Sequence, residues 1–132
     1  MPPALLFQLL KTLACTHVVF LAIQPVLAGQ YFTGSPDALQ FHGSLGEFAA
    51  WVGLAQALAA LICWRFAGLG PWTTVSFLAI FALDGLQVHA GHAAMLALHI
   101  PLGTGLLAVS LALTLWLLRQ RPPRGMPGLR TG

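Results

Sequence analysis

His42 and His99 lie 57 positions apart, and each has leucine three residues on and glycine four residues on: His42-Gly-Ser-Leu45-Gly46 and His99-Ile-Pro-Leu102-Gly103. In a helix the fourth residue on lies on the same face, one turn along. A glycine there removes the side chain beneath the imidazole and leaves room for a flat ligand against the backbone. Neutral imidazole is a common metal ligand, and two imidazoles facing each other across an apolar gap suit the axial positions of a haem iron. The spacing predicts one haem b held between His42 and His99, bordered by Gly46 and Gly103. The same residues have a plainer reading, in which each histidine opens its helix and bonds a backbone carbonyl.

Phe41, Phe48, Trp51, Phe81, Met95 and Leu106 are candidate walls for a porphyrin, and Gln30, Gln40, Gln87 and Tyr31 candidate partners for its propionates. A second metal site, for copper or zinc, is conceivable at His89 and His92 with Asp84, Gln87 or His99. Loop histidines at a wet interface are more often without a metal. His17, deep in the first apolar stretch, is expected to make an interhelical hydrogen bond. Glu47 and Asp84 are the acids inside apolar stretches. Each could carry a proton or bond a histidine, and Asp84 shares a helical face with Gln87 three residues on. The chain has no Ser/His/Asp or Cys/His arrangement, phosphate loop or nucleotide fingerprint. A binding role is therefore expected in preference to catalysis.

The elements that position these residues follow from composition. Of 132 residues, 58% are hydrophobic and 7% charged, against roughly 45–50% and about 25% in an ordinary soluble domain. So few charges cannot cover a soluble fold, and a soluble enzyme, a disordered tail and a nucleic-acid binder are all excluded. Four apolar stretches, about 5–28, 41–64, 71–88 and 94–118, each approach the length that crosses about 30 Å of hydrocarbon as a helix. The breaks between them are rich in glycine and proline or, at His89–His92, very short. Cys15 and Cys63 have neither a disulfide framework nor metal-ligand spacing. Lys11 lies within the first apolar stretch with no positive charge before it, which argues against a cleaved signal peptide.

Sliding the chain against itself by 57 positions matches residues 16–61 with 73–118 without a gap, and roughly one pair in three is identical. Phe20-Leu-Ala-Ile23 recurs as Phe77-Leu-Ala-Ile80, Gln30 falls on Gln87, and His42 falls on His99. The expected fold is an all-α integral membrane protein, a four-helix up-down-up-down bundle over residues 1–118 made of two duplicated hairpins. Each unit crosses twice, so the repeat is parallel, with its pseudo-two-fold axis along the membrane normal. Residues 119–132, with four of the six Lys and Arg residues, are expected to form a flexible basic tail.

The helix-opening His-x-x-Leu-Gly repeats and the duplicated hairpin resemble small four-span bacterial membrane proteins. More distantly they are similar to the bis-histidine bundles of membrane b-type cytochromes and of haem A synthase. That resemblance implies a bacterial cytoplasmic membrane, with His42 and His99 as the residues carried over as haem ligands. It also implies electron transfer or a place in a complex of membrane redox subunits, or in a homo-oligomer. A non-redox scaffold or accessory subunit, and a small proton-coupled transporter using Glu47 and Asp84, stand as alternatives. Lys11, Arg65 and the tail arginines fall on one side of the four spans and no Lys or Arg on the other, so both termini are expected in the cytoplasm. In a variant lacking Cys15 and Cys63, Ser35→Cys should react with an impermeant thiol reagent on intact cells. Labelling only after lysis would reverse the orientation.

Overall fold

The computed structural model describes residues 2–121, so the tail at 122–132 lies outside the described residues. Four helices follow one another: α1 (Pro3–Phe32), α2 (Asp37–Ala67), α3 (Pro71–His92) and α4 (Leu96–Arg119). Pro3 and Pro71 sit in first turns, where a missing N–H costs nothing. Helix α2 stops at Gly68, which takes the left-handed φ of 72° while the Leu69 N–H returns to the Cys63 carbonyl at 3.2 Å. All four helices are long and apolar enough to cross a membrane. The chain is an all-α, multi-pass membrane protein, and the described residues contain no strand.

The helices form a ring. α1 packs on α2 and α4, and α3 packs on the same two, whereas the diagonal pairs α1/α3 and α2/α4 make no close backbone approach among the described residues. Both hairpin turns, 33–36 and 93–95, therefore lie at one end (the turn end). The 68–70 connection and the start of α1 lie at the other (the terminal end).

Large apolar side chains such as Val19, Trp51, Val75 and Val109 face outward, while Ala49, Ala57, Ala59 and Ala60 are buried. This is the distribution expected in lipid, where helices associate through small residues that let backbones approach. Phe7, Leu10, Phe77, Ile80, Leu106 and Leu117 fill the interior toward the terminal end and the middle. Lys11 reaches along the bundle to donate to the Leu118 carbonyl (3.2 Å) and the Gln120 carbonyl (2.8 Å). A cation thus satisfies carbonyls that the end of α4 leaves free.

The two hairpins are not equal copies in register. In α2 and α4 the 57-residue offset holds for burial: Ser110, Leu113, Thr114 and Leu117 correspond to Gly53, Gln56, Ala57 and Ala60, all buried. In α1 and α3 it does not. Buried Thr73, Phe77, Ile80 and Asp84 correspond to buried Leu10, Ala14, His17 and Leu21, an offset of 63. Phe20-Leu-Ala-Ile23 and Phe77-Leu-Ala-Ile80 thus bury different members of the same tetrapeptide: Leu21 in the first, Phe77 and Ile80 in the second. The equivalence of Gln30 with Gln87 fails with them, because Gln24 occupies the position structurally matched to Gln87. The first hairpin is six residues longer around its turn, so it extends about one helical turn farther.

The backbone at Gly68 generates a stability prediction. Gly68→Ala places a Cβ at positive φ and should cost about 1 kcal/mol in reversible detergent unfolding. Gly29→Ala, inside α1 with open space around the added methyl, should be neutral or stabilising by up to about 1 kcal/mol.

Candidate functional site

The two repeat histidines meet. His42 on α2 and His99 on α4 lie on diagonally opposite helices, yet their ring centroids are 5.9 Å apart with planes at 65°. Each is anchored to the preceding helix of its own hairpin. His42 Nδ1 donates to the Gln24 carbonyl at 3.1 Å, and His99 Nδ1 donates to the Gln87 carbonyl at 3.0 Å. A carbonyl can only accept, so the proton of each neutral ring is on Nδ1 and the lone pair on Nε2.

Glutamine side chains complete both units. The Gln87 amide donates to His99 Nε2 at 3.4 Å, and a Cβ on Gly103 would collide with that amide. The Gln24 amide, with its nitrogen toward His42, donates to the His42 carbonyl at 3.0 Å. The nearest atom to a Cβ on Gly46 belongs to the Gln24 side-chain amide, at 3.8 Å. The room over each glycine four residues after its histidine thus holds a glutamine from the neighbouring helix. Gly91 has a similar part, since a Cβ there would come within 3.0 Å of His99 Cε1. The result is a pair of His–Gln–Gly clasps, one per hairpin, brought together at the axis.

Deeper in the bundle lies a second polar centre. His17 on α1 and Asp84 on α3 are 0% and 3% exposed, and His17 Nε2 lies 3.1 Å from Asp84 Oδ2. The approach is off-line for a directed hydrogen bond, so the two groups are in contact without a straight N–H···O bond. Gly53 on α2 makes the meeting possible, because a Cβ there would overlap the Asp84 carboxylate and come within 3.7 Å of His17 Nε2. His17 thus meets another helix, but in a contact with Asp84 and not in the interhelical hydrogen bond expected from the sequence. Asp84 turns to His17 and not to Gln87, while Gln87 serves His99.

The remaining candidates are dispersed. His92 Nε2 lies 3.4 Å from Glu47 Oε1 with both side chains more than half exposed, and His89 is exposed. Among the described residues no group of three or more His, Cys, Asp and Glu side chains converges as a metal site. Of the proposed porphyrin walls, Leu106 is buried and Phe81 partly so, whereas Phe41, Phe48, Trp51 and Met95 face outward. Two recesses of about 490 and 380 Å³ open sideways, between α1 and α2 and between α2 and α3. Neither includes His42 or His99. Comparison with family models, with curated proteins and with solved structures finds no match.

Gly53 was not among the sequence candidates. Its local signal was a glycine amid the small residues of α2, and its partners come from two other helices. Gln24 was hidden because the 57-residue match set it against Phe81. Substitution of the glycines should separate these roles. Gly53→Ala forces a methyl into the buried dyad and should destabilise the folded protein by at least about 2 kcal/mol in detergent unfolding. Gly103→Ala meets only the end of a glutamine that can shift and should cost less, and Gly46→Ala less still. A flat ranking across the three would show that the dyad is not tightly held.

Proposed function

We propose that the chain is a small membrane subunit that binds one haem b between His42 and His99 and transfers electrons within a redox complex. The observation that carries this reading is the meeting of two neutral imidazoles across the bundle axis, each with Nδ1 committed to a carbonyl. A carbonyl bonded to the far ring nitrogen in this way fixes the tautomer and orients a metal-ligating histidine. Iron–imidazole bonds of roughly 2 Å place the ligating nitrogens about 4 Å apart, and ring centroids 5.9 Å apart are close to that requirement. His42 and His99 would hold the iron, and a macrocycle would take the room over Gly46 and Gly103 that the Gln24 and Gln87 side chains now occupy. The bound group supplies a one-electron couple. The chain's own part is to ligate through the two Nε2 atoms and hold the rings. With the termini in the cytoplasm, the site lies near the outer face of a bacterial cytoplasmic membrane.

A second reading draws on the glutamines. Because they occupy the room over the glycines, the His–Gln–Gly units also work as polar clasps that lock the two hairpins together. The chain is then a non-redox accessory subunit or scaffold.

Reduced-minus-oxidised spectra of the protein purified from haem-replete cells separate the two. The haem reading expects a Soret band that His42→Ala or His99→Ala abolishes, that Gly46→Leu or Gly103→Leu also abolishes by filling the space, and that His17→Ala retains. A colourless, folded wild-type protein leaves the accessory reading.

A further inference from the structure

We propose that His17 and Asp84 form a proton-binding site within the bilayer, hydrated by internal water and open to the turn end of the bundle through Gln87. The proton site does not depend on haem, whereas the route through Gln87 belongs to the haem-free bundle, in which Gln87 reaches His99.

The argument begins with charge. A carboxylate beside a neutral imidazole, both buried in a bundle surrounded by lipid, would leave one unbalanced negative charge where ions are least tolerated. Two arrangements avoid this: a carboxylate with an imidazolium, or a carboxylic acid with a neutral imidazole. Both contain one proton more than the unbalanced form, so the dyad holds a proton in either case. Other charges do not substitute for it. On α1, Lys11 lies nearly two turns toward the terminal end and is engaged by carbonyls of the α4 end. On α2, Glu47 is exposed beside His92. Gly53 and Gln56 are the buried residues nearest the dyad's level that are not simply apolar, and the buried thiol of Cys63 lies about ten residues farther toward the terminal end. Helix α3 adds no second buried ionisable group, and the buried residues of α4 are Leu106, Ser110, Leu113, Thr114 and Leu117.

Hydration follows from unfilled hydrogen bonds. His17 Nδ1, Asp84 Oδ2, Gln56 Oε1 and Ser110 Oγ are buried and have no hydrogen-bond partner among the described residues. Ser110 lies one turn from Thr114, whose hydroxyl donates to the Ala14 carbonyl across α1 and α4, which sets Ser110 near the level of His17. Buried polar atoms in folded proteins are almost always satisfied, and a polar space with several such atoms is where internal water binds.

The route leads toward the turn end. Toward the turn end, Gln87 follows Asp84 by three residues on one face of α3. Its buried Oε1 lacks a partner, and its Nε2 reaches His99. Toward the terminal end, Ile80, Phe77, Leu113 and Leu117 are buried and apolar, and the buried polar groups there, Gln56, Thr73, Thr74 and Thr114, are un-ionisable. The proposed proton path runs between the dyad and the histidine pair.

Solid-state NMR of full-length protein labelled with ¹³C-Asp and ¹⁵N-His, in phosphatidylcholine vesicles at about pH 7, tests this. The aspartates are Asp37 and Asp84, so Asp37→Asn at the exposed start of α2 leaves the Asp84 carboxyl signal alone, and His17→Gln identifies the His17 ring. The expected result is one protonated partner, either acid with neutral imidazole or carboxylate with imidazolium, in contact with water protons. An ionised carboxylate beside a neutral imidazole overturns the site. Removing the hydrogen-bonding relay with Gln87→Leu should slow deuterium exchange of the dyad proton about tenfold, whereas Thr73→Val should leave it unchanged. Equal exchange in Gln87→Leu and wild type overturns the route.

Discussion

Hydrocarbon offers no partner to a polar group, and that single constraint arranges the interior of this bundle. Every backbone N–H and carbonyl in a span must be satisfied by the chain itself, so the four segments are helical. Every polar side chain within a span must turn inward or reach an end. His17, Asp84, Gln56, Ser110, Thr73 and Thr114 all turn inward, and each is buried. Lys11 takes the other course and runs to the end of α4. Where side chains can bond helix carbonyls they do so, as Thr74 does to Ala60 at 3.1 Å.

Close approach is the condition for all of this, and glycine supplies it where polar side chains cross. Gly53 leaves the volume into which Asp84 extends to reach His17, and Gly103 leaves the volume for the Gln87 amide. These glycines lie inside helices, where they cost about 1 kcal/mol relative to alanine. That cost is offset by polar contacts that an alanine would block. The two polar centres are therefore also centres of helix packing. A ligand entering at the histidines must displace glutamines that hold the hairpins together, so binding there would couple to the packing of the whole turn end.

The unequal hairpins explain how a duplicated unit can house two different sites. With α2 and α4 related by 57 residues and α1 and α3 by 63, His42 and His99 meet as like with like, each on its own glutamine carbonyl. On the other diagonal, the position matched to His17 is Ile80 and that matched to Asp84 is Leu21. The histidine pair is thus the symmetric centre of the molecule and the dyad an asymmetric one. The first suits a ligand approached equally from both sides. The second suits a single proton.

Composition and hydrophobic pattern were enough to specify four membrane-spanning helices and their order, because hydrocarbon imposes its demand segment by segment. The short turn expected at His89–His92, however, forms at 93–95, since α3 runs on to His92. The likeness of His42 to His99 was legible because a histidine with leucine three and glycine four residues on is a local feature, repeated intact. Yet α2 starts at Asp37 and α4 at Leu96, so neither histidine opens its helix as expected. The register of α1 against α3 was not legible. Phe20-Leu-Ala-Ile23 and Phe77-Leu-Ala-Ile80 match as strings, but lipid tolerates most apolar side chains alike, so such a match does not say which member faces the core. Only the packed structure decides that Leu21 is inside in one copy and Phe77 with Ile80 in the other. The same holds for His17, Gly53 and Asp84, which stand on three different helices. Their meeting depends on the angular setting of α1, α2 and α3 around the axis, and that is settled by side-chain packing across the bundle.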